Sequence, residues 1–427
     1  MKIAAVRITP IAFRDPPLLN AAGIHEPWAL RSIIELETDS GRVGINETYG
    51  DLPMLEALAK AAPALTGLSP WAINEMEMRV AALVTPRAQT ASEFLGQQVS
   101  LAPGTHVSKT VAKVVSAFEI AMLDLQGQLA GAPIVDLLGG AARDSVPFSA
   151  YLFYKYAAHA GEPYAPDPWG EALTPQQLVA QARRMIGQYG FKSIKLKAGA
   201  LAPDDEAAGL LALAGAFPGM PLRIDPNANW SVATSLRIVD KLRGVLEYYE
   251  DPAPGLEGMA AVARECDVPL ATNMVVTDFA EFRRNADIGC PVKIVLSDHH
   301  YWGGLRATQQ LSRLCRTFDL GLSMHSNSHL GVSLVAMTHL CASVPLLTYA
   351  CDTHYPWQGE EVVEGGRLAF DNGSLRVPRG PGLGVTLDRT ALARLHDNYL
   401  HCGIRNRDDL AQMRKYDPAF TGAQPRF

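Results

Sequence analysis

Short runs of strand-forming residues alternate with helix-forming runs along the middle of the chain, and this repetition limits the possible folds. The strand-type runs cover residues 146–153, 193–197, 222–225, 246–250, 269–273, 292–298, 320–325 and 346–352. The helix-type runs between them cover residues 175–189, 205–216, 232–243, 255–266, 278–284, 305–318 and 331–343. Eight strands separated by seven helices predict a parallel β/α barrel. An open doubly wound sheet is the alternative, but the glycine-rich fingerprint that usually follows its first strand is missing.

The sequence before and after this repeat has a different pattern. Before residue 140, two β-type runs meet at a predicted hairpin, Asp39-Ser40-Gly41, and an apolar-periodic helix over residues 107–130 follows. After the repeat come a Gly/Pro-rich stretch, a helix over residues 389–399 and a polar tail. The first part of the chain is therefore predicted to be an α+β unit.

Composition excludes several classes of protein. The 427 residues carry 38 Lys+Arg against 44 Asp+Glu, a formal net charge of −6, and no basic run, which argues against nucleic-acid binding. No apolar stretch reaches the roughly 18 residues of a membrane helix, and no signal-peptide core develops at the start. The six cysteines form no C-x-x-C pair and indicate reduced thiols. We therefore expect a cytoplasmic protein with neither a nucleic-acid nor a membrane partner.

Polar side chains lie at the predicted ends of six successive barrel strands, at intervals of 28, 25, 23, 25 and 27 residues. They are Lys197, Asp225, Glu250, Asn273, Asp298 and His325. In a parallel barrel the carboxyl ends of the strands converge on one face, where active sites lie. One such residue alone is usually a loop or helix cap. Six of them at a spacing of one βα unit predict a shared site.

Three of these residues have the chemistry of a metal site. Asp225, Glu250 and Asn273 offer oxygen ligands without sulfur or imidazole, a set that favours Mg²⁺. A zinc pair formed by His325 and His329, four residues apart, is the alternative. It requires both histidines on a helix, whereas His325 is predicted at a strand end.

The remaining strand-end residues indicate acid/base chemistry. Lys195 and Lys197 are two apart on one strand and face the same way, so like-charge proximity, with a nearby dication, is expected to lower the pKa of each lysine. A lysine tuned in this way can act as a general base. Asp298 lies one strand from His325 and can hold its imidazole tautomer.

A divalent metal flanked by a lysine and a His–Asp dyad suits proton abstraction beside a carboxylate. Such a C–H group is too weak an acid for a side chain alone, but a metal on the carboxylate oxygens can stabilise the enediolate. A β-hydroxyl can then leave with the help of a general acid. Bases on both faces would also permit epimerisation.

At these residues the sequence resembles the enolase superfamily of mandelate racemase-like enzymes, and within it the glucarate dehydratase subgroup. The matches extend through most of the chain. The most specific are Lys195-Leu196-Lys197, Asp225-Pro226-Asn227, Glu250-Asp251-Pro252, Ala271-Thr272-Asn273-Met274, His325-Ser326-Asn327-Ser328-His329 and Asp352-Thr353-His354. Lys-x-Lys alone is a weak signal, but the ordered set at barrel spacing is specific.

The resemblance implies a role for each matching residue. Asp225, Glu250 and Asn273 would bind Mg²⁺, and Lys197 and His325 would be the acid/base pair, with Lys195 and Asp298 beside them. The residues expected to hold the substrate are Asn20, His25, Thr105, Tyr151, Lys195, Asn227, Asn327, His354 and Arg407.

The resemblance also implies the fold and the assembly. The expected α/β architecture is a modified TIM barrel, (β/α)7β, over residues 141–389. An α+β capping domain would comprise residues 1–140, with residues 390–427 packing back onto it. Homo-oligomers are expected.

The implied activity is Mg²⁺-dependent dehydration of a hexarate, with D-glucarate as the first candidate and 5-dehydro-4-deoxy-D-glucarate as its product. The alternative is a dehydratase, epimerase or racemase acting on another acid sugar, such as galactarate, idarate or a hexonate. The segments that choose the substrate depart from the family pattern, for example at Ala198-Gly199 and at His299. A diverged binding or regulatory protein is a third hypothesis, against which the complete set of six strand-end residues argues.

Overall fold

The structure is a computed structural model that describes residues 1–84, 109–161 and 165–427. Among the helices of these residues, none has the length and apolar character that a bilayer crossing requires. The elements of the first part are β1 (Ile3–Arg14), β2 (Leu19–Asn20), β3 (Gly23–Ile24), β4 (Trp28–Thr38), β5 (Val43–Tyr49), α1 (Leu52–Ala61), α2 (Ile73–Leu83), α3 (Thr110–Ala130) and α4 (Ile134–Leu137).

An antiparallel sheet in the order β1–β4–β5 forms the centre of this first part. The predicted hairpin joins β4 to β5 and sets Glu37 opposite Val43. Helix α3 packs on β4 and β5 and is buried from Val114 to Gly127. It ends at Gly131, whose φ of 66° is the left-handed conformation that glycine adopts most readily.

The middle of the chain forms the predicted α/β barrel. Strands β7 to β13 form a parallel sheet in sequence order, with seven strands in the described part of the chain, and a helix follows each of them. The elements are β6 (Ser145–Pro147), β7 (Ala150–Phe153), α5 (Pro175–Tyr189), β8 (Ile194–Lys197), α6 (Pro203–Ala216), β9 (Leu222–Asp225), α7 (Val232–Lys241), β10 (Leu246–Glu250), α8 (Gly255–Glu265), β11 (Leu270–Thr272), α9 (Phe279–Asp287), β12 (Val292–Ser297), α10 (Leu305–Thr317), β13 (Gly321–Met324) and α11 (Gly331–Ser343).

The eighth predicted strand, residues 346–352, is not a continuous strand, and this prediction was wrong. Individual backbone hydrogen bonds hold the segment in place. On the β13 side, Thr348 N donates to Leu322 O (3.0 Å) and Asp352 N donates to Met324 O (2.9 Å). On the other side, Cys351 N donates to Pro147 O (2.9 Å). On the β7 side, the described pairing of this segment is one isolated parallel bridge between Phe148 and Cys351. The physical reason lies in the first predicted strand, which is divided. Its β6 part pairs antiparallel with β14 (Ser374–Arg376), while its last residue, Pro147, also accepts the Cys351 N–H.

The C-terminal part returns to the N-terminal sheet through α12 (Arg389–His401) and α13 (Asp409–Met413). Helix α12 packs on β1, where Asn398 Nδ2 donates to Ala12 O at 3.1 Å. Helix α13 packs against β3. Both contacts agree with a tail that folds back over the first part, while the domain boundaries at residues 140 and 389 stay predictions.

Gly304 lies at the junction of the segment after β12 with α10. Its φ of 108° is unfavourable for residues with a Cβ. A Cβ at this position would overlap the carboxylate of Glu119 in α3. That carboxylate accepts the Leu305 N–H at 2.7 Å, so α3 is tied to the first turn of α10.

We expect Gly304→Ala to lower the free energy of unfolding by about 3 kcal/mol, from backbone strain at a φ of 108° and a ψ of −172° plus overpacking against Glu119. Gly289→Ala is the matched control, because Gly289 has a φ of 86° and open space around its Cβ position. It should cost about 1 kcal/mol, the strain alone. Urea denaturation of both variants measures the difference. Equal losses would show that the contact with Glu119 contributes nothing.

Candidate active site

The six predicted strand-end residues lie at the carboxyl ends of β8 to β13. Three of them close their strands, and the others directly follow theirs. In strand order they are Lys197, Asp225, Glu250, Asn273, Asp298 and His325. All six are buried. Because β8 to β13 run parallel, these side chains belong to one end of the barrel.

Three carboxylates form a compact group at this end of the barrel. Asp225, Glu250 and Asp251 offer oxygen atoms within 4.8 Å of one another. Asn273 Nδ2 donates to Glu250 Oε1 at 2.9 Å. Within the described residues, Asn273 Oδ1 is buried without a hydrogen-bond partner. Buried carboxylates together with an unsatisfied amide oxygen fit a hard divalent cation such as Mg²⁺.

Two lysine ammonium groups meet the same carboxylates. Lys197 Nζ donates to Asp225 Oδ2 at 2.7 Å, as expected for residues that are register partners on neighbouring strands. Lys195 Nζ lies 2.6 Å from the Glu250 carboxylate and 3.4 Å from Asp225 Oδ2. It also donates to Asp352 Oδ2 at 2.6 Å. Both lysines therefore share Asp225.

The predicted lowering of the lysine pKa is wrong for Lys195. Burial alone would lower this pKa, but the charges of Asp352, Glu250 and Asp225 outweigh it and hold it well above its usual value. The prediction counted the neighbouring lysine and omitted the surrounding carboxylates. The pKa of Asp225 moves in the opposite direction: burial would raise it, but the two lysines lower it to about 2.

The predicted His–Asp pair is present. His325 Nδ1 lies 3.1 Å from Asp298 Oδ2, and Asp298 Oδ1 accepts the His300 N–H at 2.8 Å. Burial would raise the pKa of Asp298, but the hydrogen bond and charge of His325 keep it below its usual value. An ionised Asp298 favours the tautomer of His325 that carries its proton on Nδ1, which leaves Nε2 as the basic nitrogen.

The zinc alternative lacks support from this geometry. His329 Nε2 lies 3.0 Å from Thr353 Oγ1 and its Nδ1 lies 3.3 Å from Ser333 Oγ. Both ring nitrogens thus have hydroxyl partners. His325 precedes α11 and follows β13, so the two histidines do not share a helix face.

Three residues predicted to bind substrate form an aromatic group next to Lys195. The His354 ring lies 4.9 Å from Tyr151 and 6.2 Å from His25, measured between ring centroids. Lys195 Nζ lies 4.6 Å from the centre of the Tyr151 ring. His25 belongs to the N-terminal part, and its Nδ1 lies 3.0 Å from Asp15 Oδ2. The N-terminal loop therefore reaches the barrel mouth.

Asn20 and Arg407 are joined by a third residue. Asn20 Nδ2 donates to Asp409 Oδ2 at 2.7 Å. Arg407 holds both oxygens of the same carboxylate, through Nε at 2.8 Å and a terminal nitrogen at 2.6 Å. Asp409 thus connects the N-terminal loop to the C-terminal tail.

The other predicted substrate residues have separate positions. The Asn227 N–H donates to Asp225 Oδ1 at 3.0 Å, so this residue borders the carboxylate group. Asn327 Nδ2 donates to Tyr49 Oη at 3.1 Å, across to the end of β5. Thr105 lies outside the described residues.

Two residues of this site were absent from the predicted set. Asp352 bonds Lys195, and Asp251 joins the carboxylate group. Burial raises the pKa of Asp251 to about 7, and the charge of Asp225 adds to this effect. Asp352 closes the eighth predicted strand run, so the strand-end rule that selected the other six would also have found it. No comparable signal separates Asp251 from an ordinary loop aspartate.

Comparisons with known proteins identify the family of this chain. A family model described as enolase C-terminal domain-like matches residues 177–391. A probable glucarate dehydratase from Streptomyces coelicolor is 50% identical to this chain. The alignment covers 100% of this chain and 99% of that protein. An enolase from Pseudomonas fluorescens Pf0-1, crystallised with magnesium, potassium and tartrate, is 58% identical with a TM-score of 0.96, over 100% of this chain and 99% of its own.

A more distant relative is the D-xylonate dehydratase of Haloferax volcanii, 25% identical over 86% of this chain and 84% of its own. The match to the family model begins within α5 and includes strands β8 to β13 with all six strand-end residues. The predicted resemblance is thus confirmed, and the chain belongs to the enolase superfamily.

Proposed function

We propose that the protein catalyses the Mg²⁺-dependent dehydration of a hexarate, with D-glucarate as the first candidate. The superfamily and the two dehydratase relatives indicate a hydro-lyase that acts on acid sugars. The observation that carries the proposal is the meeting of a carboxylate group, two lysines and a His–Asp pair at one barrel end. Cytoplasmic location and homo-oligomeric assembly stay predictions.

Asp225, Glu250 and Asn273 are the residues that would hold Mg²⁺. Bound there, the ion would polarise the substrate carboxylate and stabilise the negative charge that develops when the α-proton leaves. Lys195, fixed by Glu250 and Asp352, would add a positive charge next to the same carboxylate.

His325 would remove the α-proton of D-glucarate through Nε2, while Asp298 holds the imidazole by Nδ1. The resulting imidazolium would give this proton to the β-hydroxyl, which leaves as water. The enol that remains becomes the ketone of the product. Lys197 would serve the epimer with the opposite α-configuration.

The substrate residues would act from three parts of the chain. Tyr151 lies in β7, Asn227 follows the end of β9 by two residues, and Asn327 follows the end of β13 by three. His354, two residues after the segment 346–352, contacts Tyr151. The cap would contribute Asn20, His25 and Arg407, and Thr105 is included in the proposal on its sequence match alone.

Epimerisation is the second candidate. Two potential bases on different strands, Lys197 and His325, are the arrangement that a reversible proton transfer at one carbon needs. Solvent deuterium that enters the α-carbon without loss of water would favour this reaction.

A screen of hexarates and hexonates with Mg²⁺, in which formation of a 2-keto acid is measured, tests the proposal. We expect dehydration of at least one hexarate, with D-glucarate first, and loss of activity after chelation by EDTA that added Mg²⁺ restores. NMR spectra recorded in D₂O show which carbons of the product carry the keto and the deoxy groups. Acids that bind without turnover would contradict the dehydratase and revive the binding-protein hypothesis.

A further inference from the structure

Asp15 is a buried aspartate that directly follows β1 in the N-terminal part. Its carboxylate meets three side chains from distant parts of the chain. His25 Nδ1 lies 3.0 Å from Oδ2, Ser328 Oγ donates to the same oxygen at 2.8 Å, and Gln358 Nε2 donates to Oδ1 at 3.2 Å. Asp15 therefore links the N-terminal loop to two segments of the barrel region.

Both of these segments carry residues of the candidate site. Ser328 follows His325 by three residues, and Gln358 follows His354 by four. The His25 ring also stacks on that of His354, with 6.2 Å between the ring centroids and an angle of 20° between the planes. The shared carboxylate thus holds a histidine of the cap in a fixed relation to the loops after β13 and after residue 352.

The contacts of Asp15 determine which nitrogen of His25 carries a proton. The serine hydroxyl and the glutamine amide both donate to the carboxylate, so it acts as an acceptor toward them. His25 Nδ1 faces the same acceptor and is therefore the nitrogen that carries N–H. Among the residues that the structure describes, Nε2 of this ring has no hydrogen-bond partner. The geometry leaves Nε2 for a ligand.

Any contact of His25 with the substrate thus depends on Nε2, because Nδ1 is occupied. We propose that Asp15 is a positioning residue for this contact: it holds the proton of His25 on Nδ1 and directs Nε2 to the substrate. The identity of the substrate rests on the proposed function. Asp298 contacts His325 in the same manner, from Oδ2 to Nδ1 at 3.1 Å. The site would then contain two oriented histidines, one from the cap and one from the barrel.

The first test is ¹⁵N NMR of histidine-labelled protein, with His25→Gln to assign the signals. In the wild type we expect a proton on Nδ1 of His25. In Asp15→Asn, donation from Gln358 should keep the amide oxygen at the Oδ1 position and turn the NH₂ group toward the histidine. His25 should then accept at Nδ1 and carry its proton on Nε2, the tautomer that results when asparagine replaces the aspartate of a His–Asp pair.

The second test measures the effect of Asp15→Asn on the substrate. Calorimetry with D-glucarate and Mg²⁺ gives the Kd, and steady-state kinetics give KM and kcat. The Kd and KM should rise about 2- to 10-fold, the range of one hydrogen bond, with a smaller change in kcat. Ser328→Ala is the matched control, because it removes the other hydrogen bond to Oδ2 and keeps the carboxylate, so the tautomer should stay. Asp39→Asn, in the exposed hairpin between β4 and β5, should change neither the tautomer nor the affinity.

The wild-type spectrum requires no variant to fold, and an Nδ1 without a proton in that spectrum would overturn the inference. A reversed tautomer in Ser328→Ala would also overturn it, as would a reversed tautomer in Asp15→Asn with an unchanged Kd. Wild-type protein that shows the expected tautomer but binds hexarates without dehydrating them would instead overturn the proposed function.

Discussion

Replacement of His325 by asparagine should lower kcat for D-glucarate dehydration by about 10²- to 10⁴-fold, the contribution of a positioned general acid/base. Asparagine keeps a hydrogen-bond donor for Asp298, which the imidazole contacts at 3.1 Å, but provides no basic nitrogen. The fold should be retained. Steady-state kinetics and exchange of the α-hydrogen with D₂O measure the loss.

Lys197→Ala is the partner experiment, since this lysine is proposed to serve the opposite α-configuration. It should suppress reactions of L-idarate more than proton removal from D-glucarate. Each variant is compared on both epimers, so a general loss of structure would appear as equal defects. Wild-type activity of both variants across all hexarates would show that the acid/base assignment is wrong.

Asp225→Asn should weaken Mg²⁺ binding by at least about 100-fold, because even outer residues of metal sites contribute 10- to 100-fold. The change removes a carboxylate charge from the proposed ligand group and leaves a neutral amide next to Lys197, which contacts the carboxylate at 2.7 Å. Activity should therefore fall for two reasons. Calorimetric titration with Mg²⁺ isolates the first of them.

The control for this prediction is Asp204→Asn. Asp204 is an exposed aspartate in the first turn of α6, and it pairs with Arg237 and Lys241. Its replacement should leave Mg²⁺ affinity and turnover at wild-type values. Full activity of the native enzyme after chelation, or an unchanged Mg²⁺ affinity of Asp225→Asn, would exclude the proposed metal group.

Much of the architecture could be predicted because periodicity reports burial directly. The alternation of β and α runs marks where each strand ends, and strand ends determine which side chains share a face. For this reason Asp225, Glu250 and His325 could be grouped from their spacing, and the structure brings their strands together in order. The roles of Asn20 and His25 came from the resemblance alone, because the sequence of a short loop has no hydrophobic periodicity from which its position could be predicted.

What could not be predicted depends on partners distant in sequence. Residues 346–352 are held next to the first barrel strand at Cys351, whose N–H donates to Pro147 O and whose carbonyl accepts the Ser149 N–H, while β6 pairs along its length with β14. The pKa of Lys195 required knowledge of Asp352, 157 residues away. Spacing along one strand identifies neighbours on the same strand, whereas the charges around Lys195 come from other strands and, for Asp352, from the segment 346–352.

The hydrogen bond between Asn20 and Asp409 spans 389 positions and has a consequence for the order of synthesis. All six strand-end residues have been translated once His325 is added, but Asp409 comes 84 residues later (409 − 325). At about 5–20 residues per second, this interval lasts roughly 4–17 s. During it a nascent chain holds every proposed catalytic group while its N-terminal loop lacks this anchor. A chain that ends between α12 and α13 would remain at that stage permanently.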